Sequence, residues 1–143
     1  MAELKGRAVV KGSVKAPAMV ASQPFNMLAS FSKALIFRKK KGLVGDKNHP
    51  FLGRDVKGKI MVIPQTVGST TGGLVLVEIL RRGIGPAGIV CECADSLMAS
   101  GGILAEVWCN IKMPIIDGIP FSELQKIQDG SMIEMREDGT VTW

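Results

Sequence analysis

Apolar residues fall along this chain in short runs separated by glycine, proline and charge. The first run, "GRAVVKGSVKAPAMVAS", is rich in β-branched residues and predicts one or two short strands with a turn near Gly12. "KIMVIP" predicts a strand that ends at Pro64, because proline cannot donate to a ladder. "GGLVLVEILRRG" predicts a helix capped by Ser69, Thr70 or Thr71 and closed by Gly83, with Arg81 and Arg82 at the negative end of its dipole. Leu74, Val75, Leu76, Val77, Ile79 and Leu80 run nearly all round it, which predicts a largely buried helix. "AGIVCEC" reads as the next strand, "SGGILAEVWCN" as a second helix opened by Ser100, and "MPIID" as a short strand. "FSELQKIQDG" reads as a short helix stopped by glycine, and "SMIEMREDGTVTW" as a hairpin turning at Asp138-Gly139. One long charged stretch studded with glycine, "FRKKKGLVGDKNHPFLGRDVKG", interrupts the pattern; so long a loop in a compact chain is more often functional than idle.

The order is β-rich, then β-α-β-α-β, then a closing hairpin. It predicts an α/β fold with a small parallel sheet, helices against it, and the outer strands forming an added β layer or partial barrel. The 143 residues suit one domain, 1–143, with no internal repeat or linker. The N-terminus lacks a signal-peptide core and no apolar run is long enough to span a bilayer, so the expectation is a cytoplasmic protein with no membrane partner.

Net charge is +5, and much of the excess sits in Arg38, Lys39, Lys40 and Lys41. Nucleic acid is not the expected partner: there is no Tyr, aromatics make up 5%, and no recognition motif is present. A small anionic substrate or an acidic partner surface fits a local basic cluster better.

The hydroxyl and glycine patch "VGSTTGG" could serve three chemistries. A phosphate-binding loop fails because Leu74 stands where the lysine belongs. A nucleophile elbow fails on spacing, since Gly68 directly precedes Ser69. An anion site at a strand-to-helix junction survives, because free backbone N–H groups and the helix dipole favour negative charge there. The anion is either a substrate carboxylate or phosphate, or Ser69 itself as an alkoxide. A serine hydroxyl barely ionises near neutrality, so that role needs an oxyanion-stabilising environment and a nearby cation. Ordinary capping and turn chemistry accounts for the same residues without a function.

Cys91, Cys93 and Cys109 make three thiols, but no Cys-x-x-Cys spacing is present, and buried free cysteines are the expectation, with no metal held by this chain. His49, before Pro50, reads by default as a turn residue and, beside the long charged loop, as a candidate substrate contact. Asp46, Asp95 and Asp117 read as caps and turns.

Taken together, the segment from His49 to Ile116 resembles the small subunit, or swivel domain, of the aconitase X family. The set is a His-Pro-apolar-x-Gly segment, a Gly-Lys-apolar strand, the Gly-Ser-Thr loop, "GIGPAGI" and "ASGGILA". That family includes small subunits of archaeal phosphomevalonate dehydratases and bacterial cis-3-hydroxyproline dehydratases. The resemblance implies a swivelling β/β/α fold and a large partner subunit that holds most of the active site and the iron–sulfur cluster, with no cofactor on this chain. It implies that Ser69 takes a proton from carbon in the dehydration of a hydroxy acid, with Gly68, Thr70, Thr71 and His49 toward the substrate. The resemblance departs at Thr66-Val67, where family members carry Gly-Arg, and at "SKALIFRKKKGLVGDKNHP", where they carry a Gly-Gly-Val-Asp-Pro-like loop. A cation for Ser69 would then come from the partner or from residues 38–41. The alternative reading is a swivel module that pairs with or regulates a large subunit without catalysis; a phosphohistidine carrier at His49 ranks last.

Overall fold

A computed structural model of the chain describes residues 2–38, 40–67 and 70–143, with the backbone alone at Thr70. In chain order the elements are β1 (Glu3–Lys5), β2 (Arg7–Val10), β3 (Val14–Val20), β4 (Phe25–Asn26), α1 (Met27–Ile36), β5 (Ile60–Val67) and α2 (Thr70–Arg81). β6 (Gly88–Cys93), α3 (Ser96–Cys109), β7 (Ile115–Asp117), α4 (Phe121–Leu124), β8 (Met132–Met135) and β9 (Thr140–Thr142) follow. The strands run in the order β1-β9-β8-β3-β5-β6-β7-β2, with β4 joining β5 beyond the end of β3. β3, β5, β6 and β7 are parallel neighbours; the outer pairs are antiparallel.

β1 and β2 are separated in sequence by Gly6 alone, yet they occupy the two ends of that order. The sheet is therefore closed on itself, and one extended segment, bent at Gly6, serves both edges. The Gly6 N–H donates to Gly139 O at 2.8 Å. A Cβ at Gly6 would collide with the Asp117 carbonyl, and one at Gly139 with the Gly6 carbonyl, so the seam requires glycine at both positions. Closure leaves few free edges to pair with another chain.

The two faces of the strands carry different cores. Ala16, Ala18, Ile60, Val62, Val90 and Ile116 point into the barrel, where Leu124 and Ile127 join them. Met61, Ile63, Ile89, Cys91 and Ile115 point outward, onto a layer that includes Phe31, Leu76, Ile79 and Met98. Burial on both faces explains why these strands read as continuous apolar runs and not as alternation.

Several elements differ from the sequence expectation. β5 does not stop at Pro64 but continues to Val67. Ala21 N–H donates to Val62 O, so the backbone groups of the even-numbered β5 residues face β3 and β4. β3 pairs only as far as Val62 and β4 begins only at Thr66, so Pro64 faces the gap between them and its missing N–H leaves no partner unpaired. α1 lies in a stretch to which the pattern assigned no element; Asn26 caps it, accepting from Ala29 N–H at 3.0 Å, and Met27, Ser30, Phe31 and Ala34 form its buried face. α3 opens at Ser96 behind the Asp95 cap, and Ser100 is inside it, donating to Ser96 O. α4 is one turn, ending before Gln125, with Gly130 at φ +87° further on. The loop from 37 to 58 is braced: Leu43 bridges Asp55, Gly53 N–H donates to Val44 O, and Asp55 Oδ1 accepts from the N–H of Gly42 and Lys57. Among the described residues no helix is long and apolar enough to cross a membrane.

Candidate functional site

The C-terminal ends of β4, β5 and β6 lie side by side, joined by the pairs Phe25–Thr66, Asn26–Val67 and Gln65–Cys93. A helix starts from each end. α1 follows Asn26 directly, α2 follows residues 68 and 69, and α3 follows Ala94-Asp95. Three helix N-termini, each with unsatisfied N–H groups and the positive end of a dipole, therefore converge on one strand edge. At α1 and α3 the side chains of Asn26 and Asp95 already accept from backbone N–H groups. Thr66, buried at the end of β5, accepts from Asp95 N–H at 3.3 Å and ties this strand to the β6–α3 turn. Crevices outside the carboxyl ends of parallel strands are where α/β sheets bind their ligands.

Gly68 and Ser69 lie outside the described residues, as does the Thr70 side chain. α2 opens at Thr70, so Thr71 is not its cap; Thr71 is exposed in the first turn. The remaining glycines of the patch pack against neighbouring helices. A Cβ at Gly73 would lie 2.5 Å from Leu97 O, and one at Gly101 would lie 2.5 Å from Gly73 O. α2 and α3 thus touch backbone to backbone close to the start of α2. Gly72 faces Met27 of α1. α2 is largely buried, as expected, through Val75, Leu76, Val77, Ile79 and Leu80; of the six apolar residues named for it, Leu74 is exposed.

His49 is buried, 5% exposed, with both ring nitrogens engaged. Nδ1 accepts from Phe51 N–H at 3.0 Å, which leaves Nε2–H to donate to Gln23 O at 3.3 Å. Its ring meets Phe25 edge-on at 5.2 Å and Phe51 at 4.8 Å. Burial lowers its pKa, partly offset by the Gln23 carbonyl and the Asp46 charge. The imidazole is a neutral latch between the long loop and β4, one strand away from Thr66.

The acidic residues divide. Asp46 accepts from Asn48 N–H in a turn and Asp95 caps α3, as expected. Asp117 is neither cap nor turn. It is buried and takes a bidentate pair from Arg7, at 2.9 and 2.8 Å, and a third bond from Ala94 N–H. Arg7 stands on the same strand edge as the helix N-termini, but β6 and β7 separate β2 from β5, about 14 Å at sheet spacing. Arg38, Lys40 and Lys41 follow the far end of α1, ten residues or about 15 Å from the edge where that helix starts. These three are therefore placed away from the end of β5.

The thiols do not form a ligand set. Cys91 alone is fully buried, and burial, with the charges of Asp117 and Cys93, pushes its thiol up to about 12. Cys93 is exposed at the end of β6 and Cys109 half-buried at the far end of α3, about 20 Å along that helix. The expectation of three buried cysteines is corrected: β6 passes out from under its helix cover between Cys91 and Cys93. Among the described residues no group of three or more His, Cys, Asp and Glu side chains is placed to hold a metal ion.

Comparison with known proteins extends this picture. The family described as the aconitase X swivel domain matches residues 3–143. The phosphomevalonate dehydratase small subunit of Thermococcus sibiricus is 32% identical over 135 residues, covering 94% of this chain and 92% of that protein. The protein of the same name from Methanocaldococcus jannaschii is 33% identical over 123 residues, covering 86% of this chain and 84% of that protein. The crystal structure of Thermococcus kodakaraensis aconitase X in its holo-form is similar with a TM-score of 0.84 at 25% identity, over 99% of this chain and 97% of that chain.

Proposed function

This chain belongs to the aconitase X swivel-domain family, and from that premise we propose that it is the small subunit of a dehydratase acting on an anionic hydroxy acid. Mevalonate 5-phosphate is the substrate favoured, because the relatives that cover nearly the whole chain are small subunits of phosphomevalonate dehydratase. 3-Hydroxyproline is the competing substrate class.

The observation that carries the reading is the junction at the end of β5. Gly68 and Ser69 join Val67 to Thr70 in sequence, at an edge where three helix N-termini meet. In this role Ser69 takes the proton from carbon, and the α2 N–H groups stabilise the negative charge that its oxygen develops. Gly68, Thr70 and Thr71 flank the substrate on the same turn. His49 acts from beneath, holding the loop against β4.

Val67 supplies no charge, Arg7 is committed to Asp117, and residues 38–41 follow the wrong end of α1. The cation that lowers the Ser69 pKa therefore comes from the large subunit. The metal centre belongs there too, since the thiols of this chain do not converge and the most enclosed of them stays protonated. The chain alone is inactive on this reading.

The test is dehydration of mevalonate 5-phosphate by the chain assembled with its large subunit. Ser69→Ala is expected to lower turnover by a factor of about a hundred or more while the two subunits still assemble. Wild-type turnover in that variant removes Ser69 from the chemistry. A complex that assembles yet dehydrates neither hydroxy acid supports the second reading, a non-catalytic swivel module, which the uncharged Val67 at the turn favours.

A further inference from the structure

The face built by α1 and the 37–58 loop is the least finished part of the surface. Ile36 and Phe37 are 73% and 67% exposed, and Leu43 and Leu52 are also in solvent. Scattered exposed apolar residues are ordinary, but these gather around a groove of about 200 Å³ lined by Lys33, Ala34, Leu43, Val44 and Leu52. A groove with an apolar lining and further apolar residues at its end marks an interaction surface.

The rim is positive. Lys33, Arg38, Lys40 and Lys41 are exposed, and none of them has a carboxylate partner among the described residues. The loop's own acids are turned to its backbone: Asp46 to Asn48 N–H, Asp55 to the N–H of Gly42 and Lys57. The charge is thus not neutralised from within, and it is a large share of the chain's net +5.

A concave groove of this size accepts one large apolar side chain of a folded partner. A flat bilayer would leave it unfilled, and a nucleic-acid strand would find no aromatic platform here beyond Phe37. A large subunit that meets Ser69 must cover the ends of β4 to β6, and α1 leads from that edge to the groove, with Gly45 N–H bonded to Ser30 O along the way. We infer that this face docks the large subunit, through an apolar side chain seated between α1 and the 43–53 loop and acidic residues set against Lys33, Arg38, Lys40 and Lys41. The inference rests on the chain being a small subunit.

The experiment titrates the purified chain against its large subunit at low and at physiological salt. Phe37→Asp and the double variant Lys40→Glu/Lys41→Glu are each expected to weaken assembly more than about tenfold. The loss in the charge variant should shrink as salt rises. Lys15→Glu, on the outer face of β3, should change affinity less than about twofold. Circular dichroism and melting temperature are expected to match the wild type throughout, since all four positions are solvent-facing. If the wild type assembles and both test variants assemble equally well, the docking face is overturned and the dehydratase reading stands. If the wild type does not assemble, the small-subunit reading fails and this inference with it. If both variants lose binding to anionic phospholipid vesicles or single-stranded DNA while assembly is intact, the face serves another ligand and the inference is overturned.

Discussion

The helix layer covers the sheet in two ways. Where α2 meets α3, Gly73 and Gly101 let the backbones touch and leave no room for a methyl group. Where α1 meets the long loop, the packing stops short, and Ile36, Phe37, Leu43 and Leu52 remain in solvent. The first contact sits close to the start of α2; the second lies along the flank. On the proposed reading, a reacting oxygen carried by residue 69 would gain from that rigid support, whereas a surface that received a partner would keep its apolar groups uncovered until the partner arrived. The same layer thus finishes one side and leaves the other incomplete.

The sharpest way to break this contrast is to add a side chain on the tight side. Gly101→Val drives two methyl groups toward the Gly73 backbone and should cost about 3 kcal/mol, read as a shift in denaturant midpoint. If it is tolerated at wild-type stability, the two faces do not differ as described. A smaller effect is expected at the latch between loop and sheet. His49 is buried neutral with a lowered pKa, so below about pH 6.5 the unfolded chain takes up a proton that the folded chain resists. This contribution to stability should be fully present above that pH and be lost as pH falls from there toward 5. His49→Gln should be less stable at pH 7, by about 1 kcal/mol or more, with a flatter profile over that window. An equal slope in both proteins would assign the acid sensitivity elsewhere. The smallest effect belongs to the open side: Phe37→Ser should change the stability of the free chain by less than about 0.5 kcal/mol. A large loss there would make Phe37 part of the core and not of a docking face.

Much of the architecture was legible from short windows. The runs in β3, β6 and β7, the Asp138-Gly139 hairpin and the Gly83 stop of α2 each depend on a few neighbouring residues, and each stands where the pattern placed it. Gly83 has φ +73° and Gly139 φ +90°, the backbone conformations for which glycine is the usual choice. α1 is a short, mostly apolar segment between a Ser-Gln-Pro turn and a basic run; Met27, Phe31 and Ala34 at helical spacing, with Asn26 ahead of them as a cap signal, could have revealed it. Pro64 misled because a strand was judged without its neighbours; only the handover from β3 to β4 shows that its N–H is not needed.

The candidate site divides in the same manner. A strand-to-helix junction bearing hydroxyls and glycines could be read from "VGSTTGG" alone. The sequence could not separate the glycines that pack, Gly72 and Gly73, from those of the turn, because the atoms they approach belong to Met27 and Leu97. Nor could it pair Arg7 with Asp117, 110 residues apart, or show that Arg38, Lys40 and Lys41 follow the end of α1 away from the end of β5.

By itself, then, the sequence determined most of the strands, helices and turns, α1 and the end of β5 excepted, and the hydroxyl and glycine composition of the segment between β5 and α2, since these follow from local backbone preference and apolar spacing. The tertiary structure alone decided that the sheet closes at Gly6, that His49 is a buried latch, that one cysteine of three is fully enclosed, and which apolar residues stay in solvent. The physical reason is that burial and closure are properties of pairs of surfaces brought together from distant parts of the chain, and no short window contains both partners.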